Sequence, residues 1–164
     1  MDTQLYRQNL FPMIEPFKKG MLPVGDGHNI YWEQSGNPSG QPVVFLHGGP
    51  GAGSNPIHRR FFDPSYYQII IFDQRGAGQS LPVANLIKNT IDYLIEDMES
   101  LRQHLKIKKW IVFGGSWGST LALAYGIKNS SRCNGFILRG IFLGDTNELN
   151  WFLQGIRNIY PEPW

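Results

Sequence analysis

A single cysteine, Cys133, is all the sequence holds, so no internal disulfide can form and the core alone must hold the fold. No apolar run is long enough to span a bilayer, and the first twenty residues, broken by Arg7, Glu15, Lys18 and Lys19, contain no stretch of signal-peptide type. A reducing cytoplasm is the compartment these absences predict. Nor is there a block of like charge. Fifteen basic side chains stand against 13 acidic ones, a net +2, which speaks against a nucleic-acid or membrane surface and for a small neutral or mildly charged ligand. The absence with most chemical weight concerns histidine: there are four, His28, His47, His58 and His104, and none lies in the last third of the chain.

What is present suits one domain. The 164 residues are 41% hydrophobic and 13% aromatic, enough for a core. Nineteen glycines and 11 prolines stand between apolar runs as turn punctuation rather than as a repeat. Residues 1–20 read as an irregular leader lying over the body through Leu10, Phe11, Ile14 and Phe17. Met21 to Val24 and Asn29 to Gln34 are strand-like, and Gly25-Asp26-Gly27 between them carries the signature of a tight hairpin. Pro42 to Leu46 and Tyr67 to Phe72 are continuous apolar runs suited to strands buried on both faces. Asn89 is placed to cap a helix with Asp92 three residues on, and Ile91, Leu94, Ile95, Met98, Leu101 and Leu105 recur on one face of it. Further on, Ser130-Ser131-Arg132 reads as a turn, Gly135 to Leu143 as another buried strand, and Asn150 to Ile159 as one amphipathic helix. Strands alternating with helices after an antiparallel beginning predict an α/β fold with a mostly parallel sheet.

The stretch that organises this pattern is Gly114-Gly115-Ser116-Trp117-Gly118. A strand-type run, Trp110 to Phe113, enters it, and small and aliphatic residues of good helix propensity leave it. A serine at the apex of such a strand-to-helix bend has strained backbone angles and close neighbours on both flanks, where glycines offer no Cβ to clash. Its hydroxyl would stand clear of the sheet, and the first amides of the new helix, that of Trp117 included, would face any oxyanion formed above it. A plain glycine-rich connection is the alternative for the bare motif; the flanking strand and helix favour the nucleophile.

A second glycine loop, His47-Gly48-Gly49-Pro50-Gly51-Ala52-Gly53, follows the Pro42 to Leu46 strand, where hydrolases with such a bend draw their other oxyanion donor. The amide of Gly49 is the candidate. His47 reads as a buttress of this loop, and His58 as part of a surface segment from Pro56 to Arg60. Asp73 heads the turn Asp73-Gln74-Arg75-Gly76-Ala77-Gly78 and reads as a buried carboxylate fixing it, through Arg75 or through local amides. His104 falls near the last turn of its helix, as a favourable C-terminal cation or a surface residue.

Taken together, Gly25-Asp26-Gly27-His28, Tyr31-Trp32-Glu33-Gln34, His47-Gly48-Gly49-Pro50-Gly51, Phe72-Asp73-Gln74-Arg75-Gly76, Gly114 to Leu121 and Leu138-Arg139-Gly140-Ile141-Phe142 resemble the proline iminopeptidases of the α/β-hydrolase fold, in that family's order and through nearly the whole chain. The resemblance implies a serine aminopeptidase that releases N-terminal proline from small peptides, with Ser116 as nucleophile, the Gly49 and Trp117 amides as oxyanion hole, and neither metal nor organic cofactor. It also implies a departure. In this fold the order is Ser, then Asp or Glu, then His, and here no histidine follows Ser116. Asp145 and Glu148 stand after the Gly135 to Leu143 strand, but an orienting carboxylate needs its imidazole. The expected organisation is a leader at 1–20, a partial hydrolase core at 21–145 and the start of a cap domain at 146–164, truncated before the last strands. The chain is then inactive alone and takes as partner a complementing C-terminal chain or an oligomer. Rival readings are another serine hydrolase of the fold, acting on esters or amides, and a non-catalytic fragment. Ser116 in place of aspartate at the apex disfavours dehalogenase and epoxide-hydrolase chemistry.

Overall fold

The computed structural model describes residues 10–161. Its centre is a six-stranded sheet built from β1 (Lys18–Pro23), β2 (Asn29–Gly36), β3 (Gln41–Leu46), β4 (Tyr67–Phe72), β5 (Trp110–Ser116) and β6 (Cys133–Ile141), in the spatial order β1-β2-β4-β3-β5-β6. β1 pairs antiparallel with β2, and β2 with β4, while the β3–β4, β3–β5 and β5–β6 pairs are parallel. The hairpin works as its sequence suggests. Asp26 and Gly27 both have positive φ, 53° and 80°, and the amide of His28 closes on the carbonyl of Gly25 at 2.8 Å, the twist that suits antiparallel strands.

Strand alternation distributes the apolar runs between two cores. Val44, Leu46, Ile70, Phe72 and Val112 face one side, where α1 (Ile91–His104) sends Leu94, Met98 and Leu101 and α2 (Trp117–Asn129) sends Leu121, Ala122 and Tyr125. Val43, Phe45, Ile69, Ile71 and Phe113 face the other, packed by Phe62. Because helices or loops cover both faces of β3, β4 and β5, those strands are apolar at consecutive positions rather than alternating.

Several boundaries differ from the sequence reading. Residues 1–9 of the expected leader lie outside the described residues. Of its four apolar anchors only Ile14 packs on a core, and Leu10, Phe11 and Phe17 remain exposed. Hydrogen bonds to the Phe11 backbone hold this segment instead, from its N–H to the Arg60 carbonyl at 3.0 Å and from the Arg60 side-chain Nε to its carbonyl at 2.6 Å. Asn89 does not cap α1. Thr90 occupies that position, while the Asn89 amide donates to the carbonyls of Arg75 and Asn85, serving the long loop after β4. β6 begins and ends two residues earlier than expected and is not buried: Phe136 and Ile137 are each 41% exposed. Phe142 leaves the sheet because its amide is taken by Ser119 Oγ at 3.0 Å and its carbonyl by Thr120 Oγ1. Finally, the expected helix over 150–159 is two pieces. α3 (Thr146–Leu153) is capped by Asp145, the backbone breaks at Gln154, and a 3-10 turn follows at Gly155–Asn158.

Candidate active site

Ser116 is the last residue of β5 and the N-cap of α2, and its backbone sits at φ 55°, ψ −127°. That region is nearly closed to residues with a Cβ and costs on the order of 1–3 kcal/mol to hold. The flanking glycines show what holds it. A Cβ on Gly114 would strike the carbonyl of Gly118, and one on Gly118 would strike the carbonyl of Leu46 at the end of β3. The helix therefore turns back so tightly over the β3 and β5 ends that only glycine fits at both positions. Ser119, buried in the first turn, donates through Oγ to the Ser116 carbonyl at 2.6 Å while accepting from Phe142 N–H, which ties the bend to the segment after β6. The Ser116 side chain is left exposed.

The loop after β3 passes directly over this serine. A Cβ on Gly48 would lie 3.6 Å from Ser116 Cβ and 3.3 Å from the Gly115 carbonyl. Gly49 follows at φ 116°, where a Cβ would come within 2.7 Å of the amide nitrogens of Gly51 and Ala52. Gly49 is therefore demanded by the fold of the loop upon itself, while at Gly48 the backbone lies close against Ser116 without excluding a Cβ outright. Between loop and sheet lies a cleft of about 150 Å3, with Ser116, Gly48, His58 and Arg139 on its walls.

The histidines are accounted for individually. His47 is buried, its Nε2 accepts the Gln74 backbone N–H at 3.0 Å, and Nδ1 lies 2.9 Å from the Gly48 carbonyl. A backbone amide can only donate, so Nε2 carries the lone pair and the proton on Nδ1 is donated to Gly48. Burial also holds the imidazole below its ordinary pKa. With both nitrogens committed, His47 is a buttress of the loop and not a base. His58 corrects the expectation of a surface residue. Its ring stacks on Phe45 at 4.3 Å and turns into the Ser116 cleft, its Nδ1 accepts the Asn55 N–H at 3.0 Å, and burial lowers its pKa too. His28 is buried with Nε2 2.9 Å from the Ile87 carbonyl, and His104 lies exposed, edge-on to Trp32. Among the described residues no histidine is hydrogen-bonded to Ser116.

The carboxylates are likewise occupied. Asp73 accepts from the amides of Ser54 and Gln79 at 2.6 and 2.8 Å, so of the two partners considered it takes local amides, while Arg75 forms a buried bidentate pair with Asp97 at 2.6 and 2.8 Å. Asp145 caps α3 through the Glu148 N–H, and Glu148 accepts the amides of Leu143 and Gly144 at 2.7 and 2.9 Å. Both are used to start α3. Among the described residues no three metal-ligating side chains are grouped to hold an ion and no helix is long and apolar enough to cross a membrane. Two neighbours of the site went unread in the sequence. Gln74 is buried and links the loop to Trp117, and Arg139 reaches the cleft from β6. Neither has a periodic or spacing signal of its own.

A serine raised at a glycine-flanked strand-to-helix bend, on the third parallel strand of a sheet that begins antiparallel, defines a class. Residues 41–163 match the family model of the alpha/beta hydrolase fold, and the chain belongs to that family. Within it, the chain is 55% identical over 164 residues to the proline iminopeptidase of Arabidopsis thaliana, covering 99% of this chain and 43% of that protein. It is 58% identical over 158 residues to a probable proline iminopeptidase of Leptolyngbya boryana, covering 96% and 49%. Among solved structures it resembles a proline iminopeptidase-related protein from Thermus thermophilus, with a TM-score of 0.65 and 28% identity over 74% of this chain and 43% of that one. The chain spans about half the length of the curated relatives it matches.

Proposed function

We propose that this chain is the nucleophile-bearing part of a serine aminopeptidase that releases proline from the N-terminus of small peptides. The observation that carries the reading is the exposed Ser116, held at φ 55° on a bend that only glycines permit, with the Gly48-Gly49 loop laid over it. In the proposed reaction Ser116 Oγ attacks the prolyl carbonyl, and the amides of Gly49 and Trp117 receive the oxygen as it gains charge. An acyl-enzyme forms as the leaving amine departs with a proton, and water then frees the proline. The imidazole that takes the serine proton and the carboxylate that orients it are assigned to a complementing C-terminal polypeptide, because His47 and the candidate acids are committed elsewhere, and His58, whose Nδ1 accepts the Asn55 N–H so that Nε2 carries the proton, is not hydrogen-bonded to Ser116. Without them the residual rate falls by on the order of ten thousandfold. We keep the division into a leader at 1–20, a partial core at 21–145 and the start of a cap at 146–164, except that Lys18 to Gly20 join the core as the first half of β1, and we place the protein in the cytoplasm.

The test is hydrolysis of L-prolyl-β-naphthylamide by the chain alone and after co-expression with the C-terminal half of a 50–60% identical relative. Activity is expected only in the co-expressed sample, and Ser116→Ala should abolish it. Turnover of acyl esters without prolyl release would replace the peptidase with an esterase, and a co-expressed complex inert on both substrates would overturn the reading.

A further inference from the structure

Gln74 has no place in the reaction just described, yet every polar group of its buried side chain is used. Its Nε2 donates to the His47 carbonyl at 2.9 Å and its Oε1 accepts the Trp117 indole N–H at 3.0 Å. Its own backbone N–H fixes His47 Nε2 at 3.0 Å, leaving His47 Nδ1–H to bond the Gly48 carbonyl at 2.9 Å. An unbroken path therefore runs from the first residue of α2, through the turn after β4, into the loop that covers Ser116. Gln74 and Trp117 line a pocket of about 520 Å3 whose walls include Pro50 and Gly51 but not Ser116, and both ends of the Gln74 amide are already bonded to protein neighbours.

We propose that Gln74 is a positioning residue that locks the glycine loop after β3 to the start of α2, and so sets the spacing between the two backbone segments that would receive an oxyanion. This rests on the reading of those segments given above. The chemistry calls for glutamine. The His47 carbonyl needs a donor and the Trp117 indole an acceptor, and a neutral amide offers both from one end of a chain of the right length. A carboxylate would turn a lone pair on the carbonyl, and a thioether would leave both partners unpaired in a low-dielectric setting. Fixing donors before charge develops is what makes them effective, and a displacement of about 1 Å can cost on the order of a hundredfold in rate.

The test uses the chain labelled with 15N at glycine, tryptophan and histidine. In Gln74→Met the Trp117 indole N–H should move upfield and exchange at least about tenfold faster, and the amide signals of Gly48, Gly49 and Gly51 should shift or broaden. Trp117→Phe, which cuts the path at its other end, should disturb the same glycines. Gln74→Glu separates the two arms: the indole stays bonded while the glycines move. Thermal denaturation of each variant reports the fold independently, and Trp117→Phe keeps the test decisive if the Gln74 variants unfold. Glycine amides that hold their parent positions in folded variants would overturn the proposal. In the co-expressed enzyme, Gln74→Met should lower kcat by on the order of a hundredfold with KM within about twofold. If prolyl turnover is absent while the glycine signals respond, the peptidase reading fails and the lock stands.

Discussion

At the scale of single residues, the bend is where stability and chemistry oppose one another. Ser116 is held in a backbone region that glycine occupies freely. Replacing it by glycine removes strain but adds unfolded-chain entropy, and the balance favours the variant. Ser116→Gly should be more stable than the parent by about 1 kcal/mol, measured by urea denaturation, whereas Ser116→Ala keeps the strain and should change stability little. The buried His47 and half-buried His58 give a second residue-scale expectation. Burial lowers the pKa of His47 and of His58 in the folded chain, while the unfolded chain titrates near 6.5. Stability from holding these rings neutral is therefore full above about pH 6.5 and is lost as pH falls toward the folded values, since the unfolded chain takes up protons the folded one refuses. The denaturation midpoint should fall as pH drops below about 7, with the smaller part from the half-exposed His58 ring. His58→Phe, which keeps the stacking on Phe45, should flatten that dependence, and an unchanged slope would remove His58 from the account.

At the scale of elements, the loop between β4 and α1 is pinned by a charge. Arg75 spans three parts of the fold, with Asp97 on α1, the Val24 carbonyl beside the hairpin and the Lys88 carbonyl before the helix, at 2.6 to 3.2 Å. Arg75→Leu leaves the Asp97 carboxylate buried without its partner, which should cost about 3–5 kcal/mol. Arg75→Leu with Asp97→Leu should recover much of that loss but not all, because the two carbonyls remain unserved. Denaturant midpoints of the single and double variants decide it, and equal losses would mean that the pair itself is not what matters. The same loop is where the sequence misled about Asn89. An Asn three residues before an acid looks like a cap, but the Asn89 Nδ2 donates to the carbonyls of Arg75 and Asn85 in the loop and the helix begins one residue later, with Thr90 as its N-cap.

At the scale of the whole molecule, the two outer strands are unlike. β1 presents Lys18, Lys19 and Pro23 along its free side, features that discourage further pairing. β6 pairs only with β5 among the described residues, and it exposes Phe136, Ile137 and Ile141; Trp151 and Phe152 on α3 are exposed as well. An apolar, charge-poor edge of this kind invites association. Sedimentation velocity should show the chain associating as concentration rises, Ile137→Lys should weaken that association, and a parent that stays monomeric throughout would refute it. In the relatives the chain aligns with only about half of the protein, so a co-expressed C-terminal half should suppress the same association.

The sequence by itself determined whatever depends on neighbours along the chain. Consecutive apolar residues marked β3, β4 and β5, the Asp-Gly pair marked the hairpin, and glycines two before and two after Ser116 marked the bend, because steric limits on a backbone act within a few residues. Only the tertiary structure decided the rest. That His47 is pinned by Gln74 depends on groups 27 residues apart, and the Trp117 contact on groups 43 apart. Whether β6 is buried depends on cover that no local pattern encodes, since an apolar strand looks the same in sequence whether or not anything lies against it.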